Sequence, residues 1–303
     1  MKKYAVFGNP IKHSMSPEIH AYFAKNLGIE LSYEAILGTI GKFEDEAKDF
    51  LKKGGSGFNI TLPFKQEAYN IADIKSDVAR ITGSVNTISV SQGLIHGDNT
   101  DGSGFIKDIK NNIGYDLRGK KVLLLGAGGA GMGIVPNIIY ENPSEFKIYN
   151  RTFKKAEILC NKFSEIGYIN AISADELKKN KFDIIINSTS AGISNSDFYL
   201  PDNIIENDGI FYDLSYGTAT NLFRNWAEKN KLLFYDGLGM LLEQAADSFY
   251  IWESKRPLIT NELKSILLKK LWPIFFLVIN YAIFKFFKLP GIFNIVYYIW
   301  NIY

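Results

Sequence analysis

The segment KVLLLGAGGAG, Lys121 to Gly131, constrains the chain more than any other stretch. A short apolar run that ends in glycine reads as a buried parallel strand. Gly126, Gly128 and Gly131 then fit a G-x-G-x-x-G spacing, and a helix-forming stretch follows them. In that setting each glycine has a physical task. Gly126 permits a tight turn, Gly128 lets the backbone approach a pyrophosphate, and Gly131 lets the helix pack close to the strand. The helix start around Ala127, Gly129 and Ala130 favours an anion. A purely structural glycine turn is the alternative, and the strand-before, helix-after context argues against it.

The residues that follow keep the alternation. A helix is expected from about Gly129 to Tyr140, then FKIYN as strand, Thr152 to Phe163 as helix, FDIIIN and GIFYDL as strands, and Asn221 to Asn230 as helix. Such a rhythm builds a Rossmann-type, doubly wound α/β sheet covered on both faces. Residues before Gly102 also mix strands (YAVFG, GFNITLP, VNTISV) with helices but carry no glycine fingerprint. The helix in SPEIHAYFAKNLG is expected to take Ser16 as its N-cap, Pro17 as its first residue and Gly28 as its stop. The helix in LGMLLEQAADSFYIW is expected to pack back on this first part and make it discontinuous. The expected division is residues 1–102 with 236–270, then 103–235, then a tail over 271–303.

The second strand of the nucleotide domain should end at Asn150. An acid is expected there, about twenty residues beyond the glycines, when a ribose 2′-hydroxyl is bound. Here Arg151 follows, then Thr152, Lys154 and Lys155. A guanidinium pairs with a 2′-phosphate where an acid would repel it, so these residues ask for NADP rather than NAD. A solvated helix start is the plainer reading, but basic residues at a helix N-terminus oppose the macrodipole.

Bulk composition excludes more than it assigns. The chain has 303 residues and a net charge of +2, which gives no case for nucleic acid or an acidic partner. Cys160 is the single cysteine, so no intrachain disulfide is possible and a reducing, cytoplasmic setting is expected. MKKYAVFG runs straight into a strand pattern with no signal peptide expected. His13, His20 and His96 lack metal-ligand spacing, so no metal is expected. The apolar tail from Leu271 has Lys285 and Lys288 as its only charges, and Pro273, Pro290 and Gly291 interrupt it. No charge-free run in it reaches the ~18 residues of a spanning helix. A membrane-interface segment, a docking segment and an extension without a selected role compete for it. The last is preferred, because nothing in the tail carries chemistry.

FGNPIKHSMSPEIH, FNITLPFK, SVNT, GDNTDG, GAGGAG, NRT, INSTSAG and DGLGMLLEQAA occur in this order. Together they resemble the shikimate dehydrogenase family, from residue 4 to about 252. The resemblance implies an NADP domain and a discontinuous α/β substrate domain, with the active site in the cleft between them. It implies the oxidation of the 3-hydroxyl of shikimate to 3-dehydroshikimate with NADP, or the reverse in chorismate and aromatic amino-acid biosynthesis. Lys65 and Asp101 correspond to the catalytic pair. Ser14 and Ser16 correspond to donors for the substrate carboxylate. Asn59, Thr61, Asn86, Asp101 and Gln244 match contacts to the ring hydroxyls. Asn187 to Gly192 would line the cofactor site, with Leu214, Tyr216, Gly237 and Met240 near the nicotinamide or substrate. Tyr216 could equally be a core aromatic.

Taken alone, Lys65 reads as a surface helix-start lysine and Asp101 as a turn or N-cap residue. Their joint occurrence inside two matching motifs reverses that. Two departures stand out: Met132 occupies a position where the family often has Arg, and the tail has no family counterpart. A quinate/shikimate dehydrogenase with relaxed choice of substrate or cofactor, and a non-catalytic shikimate and NADP binder, remain as alternatives. A monomer or homodimer is expected, and membrane contact through the tail is not favoured.

Overall fold

The computed structural model describes residues 1–194 and 200–271. Residues Met1–Ile259 form one compact unit that holds two six-stranded sheets, and the chain from Thr260 belongs to a second unit. The first sheet is built from β1 (Lys2–Gly8), α1 (Ser16–Leu27), β2 (Leu31–Leu37), α2 (Phe43–Lys52), β3 (Gly55–Ile60) and α3 (Lys65–Ile71). It is completed by β4 (Ile74–Lys75), α4 (Asp77–Thr82), β5 (Thr87–Ser91) and β6 (Leu94–Asp98). The strand order is β2-β1-β3-β5-β6-β4. β1 runs parallel to β2 and β3, whereas β5 is antiparallel to β3 and β6. Its core is aromatic: the Phe7 and Phe58 rings meet edge-on at 5.1 Å, and Phe43 stacks on Phe64 at 5.0 Å.

α1 starts one residue earlier than its sequence suggests. Met15 is the N-cap, Ser16 is already helical, and the Ser14 hydroxyl accepts from the Ser16 N–H at 3.3 Å. The N-cap itself makes no side-chain hydrogen bond, and Ser16 is buried. Gly28 ends the helix in the left-handed region, at φ 63°.

The second sheet begins after α5 (Asp101–Lys107), which widens into a π turn over Asp108–Asn112. Then come β7 (Lys121–Leu125), α6 (Gly129–Tyr140), β8 (Glu145–Tyr149), α7 (Phe153–Phe163), β9 (Asn170–Ile172), α8 (Ala174–Leu177) and β10 (Phe182–Asn187). α9 (Ala191–Ser194), β11 (Ile205–Asp213), α10 (Asn221–Lys229) and β12 (Leu233–Asp236) complete it. All its strands are parallel, in the order β12-β11-β10-β7-β8-β9. The chain leaves β7 in one direction for β8 and β9, and in the other for β10 to β12. The crevice at the carboxyl ends of β7 and β10 is therefore the switch point where such sheets take ligands. β7 shows why both faces are covered: Val122 and Leu124 point into one core, Leu123 and Leu125 into the other.

α11 (Leu238–Glu253) leaves β12 and returns to the first sheet. Trp252 on this helix stacks on Tyr4 at 4.4 Å and donates from Nε1 to the Ile88 carbonyl at 2.9 Å. α12 (Asn261–Leu271) lies in the second unit. The readings made for the tail concern residues that, after Leu271, lie outside the described ones. Among the described residues no helix is long and apolar enough to cross a membrane.

Candidate active site

Lys65 opens α3 and Asp101 opens α5, and the two side chains meet. Lys65 Nζ donates to Asp101 Oδ2 at 2.5 Å. Both groups are largely buried, with side-chain exposures of 16% and 9%, so water screens the pair little. The other carboxylate oxygen, Oδ1, accepts from Asn86 Nδ2 at 2.9 Å. Asn86 also receives the Thr100 N–H on its own oxygen at 2.9 Å and faces Gln244 Oε1 at 3.3 Å. One carboxylate is thus oriented by an amide on one side and aimed at an amine on the other. Gln244 comes from α11, which is how the far end of the chain reaches this site.

Asn59 is a buried hub. Its amide nitrogen lies near the Asn86 carbonyl, Thr87 Oγ1 and Ser248 Oγ, at 3.0 to 3.1 Å, and its oxygen accepts from the Tyr33 hydroxyl at 2.8 Å. Burial pushes the Tyr33 phenol well above its ordinary pKa, against the opposing effect of a contact with Ser16. His20 stacks on Tyr33 at 4.3 Å; it is buried, and among the described residues neither ring nitrogen has a hydrogen-bond partner that meets ordinary geometry. Desolvation lowers its pKa to about 3, against the weaker opposing effect of the nearby Asn59 side chain, so the ring is neutral. Ser16 and Asn59 are therefore held by an aromatic stack behind them. Thr61 and Ser14 are only partly buried, and Thr61 is fixed through its N–H to the Phe7 carbonyl at 2.9 Å.

The glycine loop behaves as its spacing suggests. Gly126 has φ +100°, a conformation that side chains resist. A Cβ on Gly131 would stand 2.7 Å from Ser188 Oγ, so only glycine lets α6 sit this low on the sheet. Gly128, the N-cap of α6, is exposed, and among the described residues no atom beyond its chain neighbours and its own helix backbone lies within 4 Å of where its Cβ would be. Open space therefore faces the start of a 12-residue helix, the place where an anion is stabilised by N–H groups and dipole. Gly129 and Ala130 lie in the first turn, and Ala127 donates its N–H to Asn150 Oδ1 at 3.2 Å, tying the loop to the end of β8. Arg151, Thr152 and Lys155 are exposed beyond that point. Arg151 makes no ion pair or hydrogen bond among the described residues, whereas Lys154 pairs with Glu157 at 3.3 Å. No acid lies in the first turn of α7 itself.

The remaining residues expected on the cofactor side gather at the carboxyl ends of β11 and β12. Leu214 and Met240 pack with Ala127 and Met132 against the same core. Gly237 donates its N–H to the Ser215 carbonyl at 2.8 Å. Tyr216 is partly buried, and burial raises its pKa. Asn187 is wholly internal: its amide donates to Asp213 and its oxygen accepts from the Thr189 N–H and hydroxyl. Among the described residues no group of three His, Cys, Asp or Glu side chains is arranged to hold a metal.

Two models of known families match the chain. One, the shikimate dehydrogenase substrate binding domain, covers residues 6–88; the other, shikimate / quinate 5-dehydrogenase, covers residues 108–195. A shikimate dehydrogenase (NADP(+)) of Laribacter hongkongensis is 43% identical over 256 residues, which make up 84% of this chain and 93% of that protein. One from Vesicomyosocius okutanii is 46% identical over 261 residues, covering 85% and 96%. The chain belongs to the shikimate dehydrogenase family. Among solved structures, the shikimate dehydrogenase of Aquifex aeolicus superposes with a TM-score of 0.80 at 28% identity, covering 89% of this chain and 98% of that one. The shikimate 5-dehydrogenase of Thermus thermophilus, in complex with NADP(H) and shikimate, superposes at 0.75 with 30% identity, covering 85% and 95%.

Two residues that hold this family member's site together carry no motif signal. A Cβ on Gly133 of α6 would lie 2.9 Å from Asp101 Oδ2, so the absence of a side chain there seats the carboxylate directly on the helix that opens at the glycine loop. A Cβ on Gly104 of α5 would lie 2.7 Å from Gln244 Cβ, so this glycine lets α11 press its glutamine toward Asn86. Both are glycines inside helices, and close approach is the reason such residues are tolerated there despite their entropy.

Proposed function

We infer that the protein is an oxidoreductase that interconverts shikimate and 3-dehydroshikimate with NADP and NADPH, a step of aromatic amino-acid biosynthesis. The observation that carries the inference is the Lys65–Asp101 pair, 2.5 Å apart and seated through Gly133 on the helix that starts at the glycine loop. Residues 1–102 with α11 hold the substrate on this reading, and residues 103–235 hold NADP. The residues suit that cofactor: a helix N-terminus left open by the described residues for the pyrophosphate, and an exposed Arg151, without a partner among those residues, for the 2′-phosphate. When bound, NADP supplies the hydride acceptor.

The chain's own residues handle the proton and the substrate's position. In the reducing direction the Lys65 ammonium donates its proton to the ketone oxygen; in the oxidising direction its amine takes the proton back from the hydroxyl. Asp101 Oδ2 holds Nζ in place, and Asn86 keeps that carboxylate from turning. Ser14 and Ser16 take the substrate carboxylate, and Thr61, Asn86, Asp101 and Gln244 its hydroxyls. Asn59 belongs to the same set of hydroxyl contacts, and its bonds to the Asn86 carbonyl and the Tyr33 hydroxyl hold it in place. A site that hydrogen-bonds each hydroxyl discriminates against analogues that lack one.

The test is the purified protein with shikimate or quinate and NADP or NAD, read as absorbance of the reduced nicotinamide. Turnover confined to shikimate with NADP is expected. Equal rates with quinate or NAD would move the protein to the relaxed-specificity reading, and ligand binding without turnover to the non-catalytic one. A cytoplasmic location agrees with the lone, buried Cys160, whose thiol burial raises to about 11. Light scattering distinguishes a monomer from a homodimer.

A further inference from the structure

Asp213 ends β11, between Asn187 at the end of β10 and Asp236 at the end of β12. It is fully buried, yet none of the roles above uses it. Its Oδ1 accepts from Asn187 Nδ2 at 2.9 Å and from the Ser215 N–H at 2.9 Å. One oxygen therefore bonds both loops that leave the carboxyl edge of the cofactor sheet on this side. The same loops are joined by the Leu214 N–H to the Asn187 carbonyl at 2.9 Å, and they touch where Gly192 lies so close to Ala219 that a Cβ would fall 1.8 Å from its carbonyl oxygen. Asn187 in turn holds Thr189 by two bonds, and Ser215 holds Gly237, where α11 begins.

We propose that Asp213 is a positioning residue for NADP, whose carboxylate clamps the 187–192 and 214–216 loops together and so sets the cofactor-side wall of the cleft. The proposal rests on the NADP reading given above. A neutral asparagine would satisfy the same two donors without burying a charge, so the acid is the residue type to be explained. Its Oδ2 is buried with no hydrogen-bond partner among the described residues. Burial raises the Asp213 carboxyl to about 6, so its charge changes near neutral pH. The charged groups facing it are few. Asp236 on β12 adds to the rise and is itself raised by burial, and Arg224 of α10 lies 3.8 Å from Asp236. The neighbour from β10 is the neutral Asn187 amide. As the carboxylate forms, its bonds to Asn187 and Ser215 become charge-assisted and stronger.

The experiment is NADPH binding by calorimetry between pH 5 and 8, for the wild type, Asp213→Asn and Asp213→Ala, with thermal unfolding as the check on folding. Asp213→Asn keeps the acceptor and the shape but cannot ionise. It should bind NADPH about fivefold more weakly than wild type at pH 8, the scale of a charge-assisted bond made neutral, and equally at pH 5. Taking the ratio of the two proteins cancels the titration of the cofactor's own 2′-phosphate, whose second pKa is about 6. Asp213→Ala should bind at least tenfold more weakly at pH 8, with shikimate affinity within about twofold of wild type. A ratio for Asp213→Asn that does not change with pH, or unchanged NADPH binding in either variant, would overturn the proposal. Wild-type protein that binds no NADPH at any pH would instead refute the NADP reading, and the clamp with it.

Discussion

Replacing Gly133 with alanine measures how tightly Asp101 is confined. The new methyl would stand 2.9 Å from Asp101 Oδ2 and 3.3 Å from its Cβ. The carboxylate cannot swing aside freely, because Oδ2 is bonded to Lys65 at 2.5 Å and Oδ1 to Asn86 at 2.9 Å. Two effects then oppose each other. Alanine in a helix interior gains about 1 kcal/mol over glycine. Overpacking against a fixed neighbour costs about 1–3 kcal/mol. The crowding should win, with a net loss of about 1 kcal/mol and a fall in Tm of about 2–4 °C. Turnover should suffer more than stability: shifting a catalytic group by part of an ångström should lower kcat about tenfold, where a full ångström can cost about a hundredfold. Initial rates at saturating substrates and a thermal melt read both numbers. In an Asp101→Ala background the Oδ2 contact is gone, so the same substitution should cost about 1 kcal/mol less. A Gly133→Ala protein that melts higher than wild type with full kcat would show helix propensity acting unopposed, and Asp101 would not be held from this side.

Arg151→Asp should raise the KM for NADP about ten- to a hundredfold and shift preference toward NAD, since a lost charge-assisted phosphate contact is worth about 1.5–3 kcal/mol; unchanged NADP preference would place the phosphate elsewhere, on Lys155 or its neighbours. His20 predicts an acid limb of stability. Its folded pKa, about 3, lies below the usual 6.5, so the unfolded chain binds a proton that the folded one refuses. The stability associated with neutral His20 is complete above pH 6.5 and is lost as pH falls toward 3, at about 1.4 kcal/mol per pH unit. Denaturant titrations of wild type and His20→Phe should differ in slope across that window; parallel curves would show that His20 is not the group responsible.

The cofactor half of the fold could be read from local pattern alone. α6 runs over Gly129–Tyr140, the span expected, because a glycine fingerprint, an apolar helix and a buried strand all act within twenty residues of one another. The first half was harder. β2, an edge strand that is nowhere fully buried, shows no clean alternation, and β4 is only two residues long. The N-cap of α1 is Met15 rather than the expected Ser16, since Ser14 and Ser16 fit a helix start equally well and only the folded turn shows where the helix begins. Among site residues, motif resemblance pointed to Lys65 and Asp101, and the structure brings the two into contact. It says nothing of how each side chain is held: Asn59 is bonded to Tyr33 and Asn187 to Asp213, partners outside the motifs' own local pattern. Asp213, Gly104 and Gly133 act through partners 26 to 140 positions away in the chain, Asn187, Gln244 and Asp101 among them, and no spacing rule reaches that far.

Lys65→Ala, assayed with shikimate and NADP, bears most directly on the account. In the proposed mechanism the Lys65 amine exchanges the proton, while other residues hold the substrate's carboxylate and remaining hydroxyls. The variant should therefore fold, bind shikimate with little change in KM, and lose kcat by roughly 10² to 10⁴. A large rise in KM with kcat intact would contradict the account, since Lys65 would then only bind substrate and the proton would have to travel through Asp101 or water.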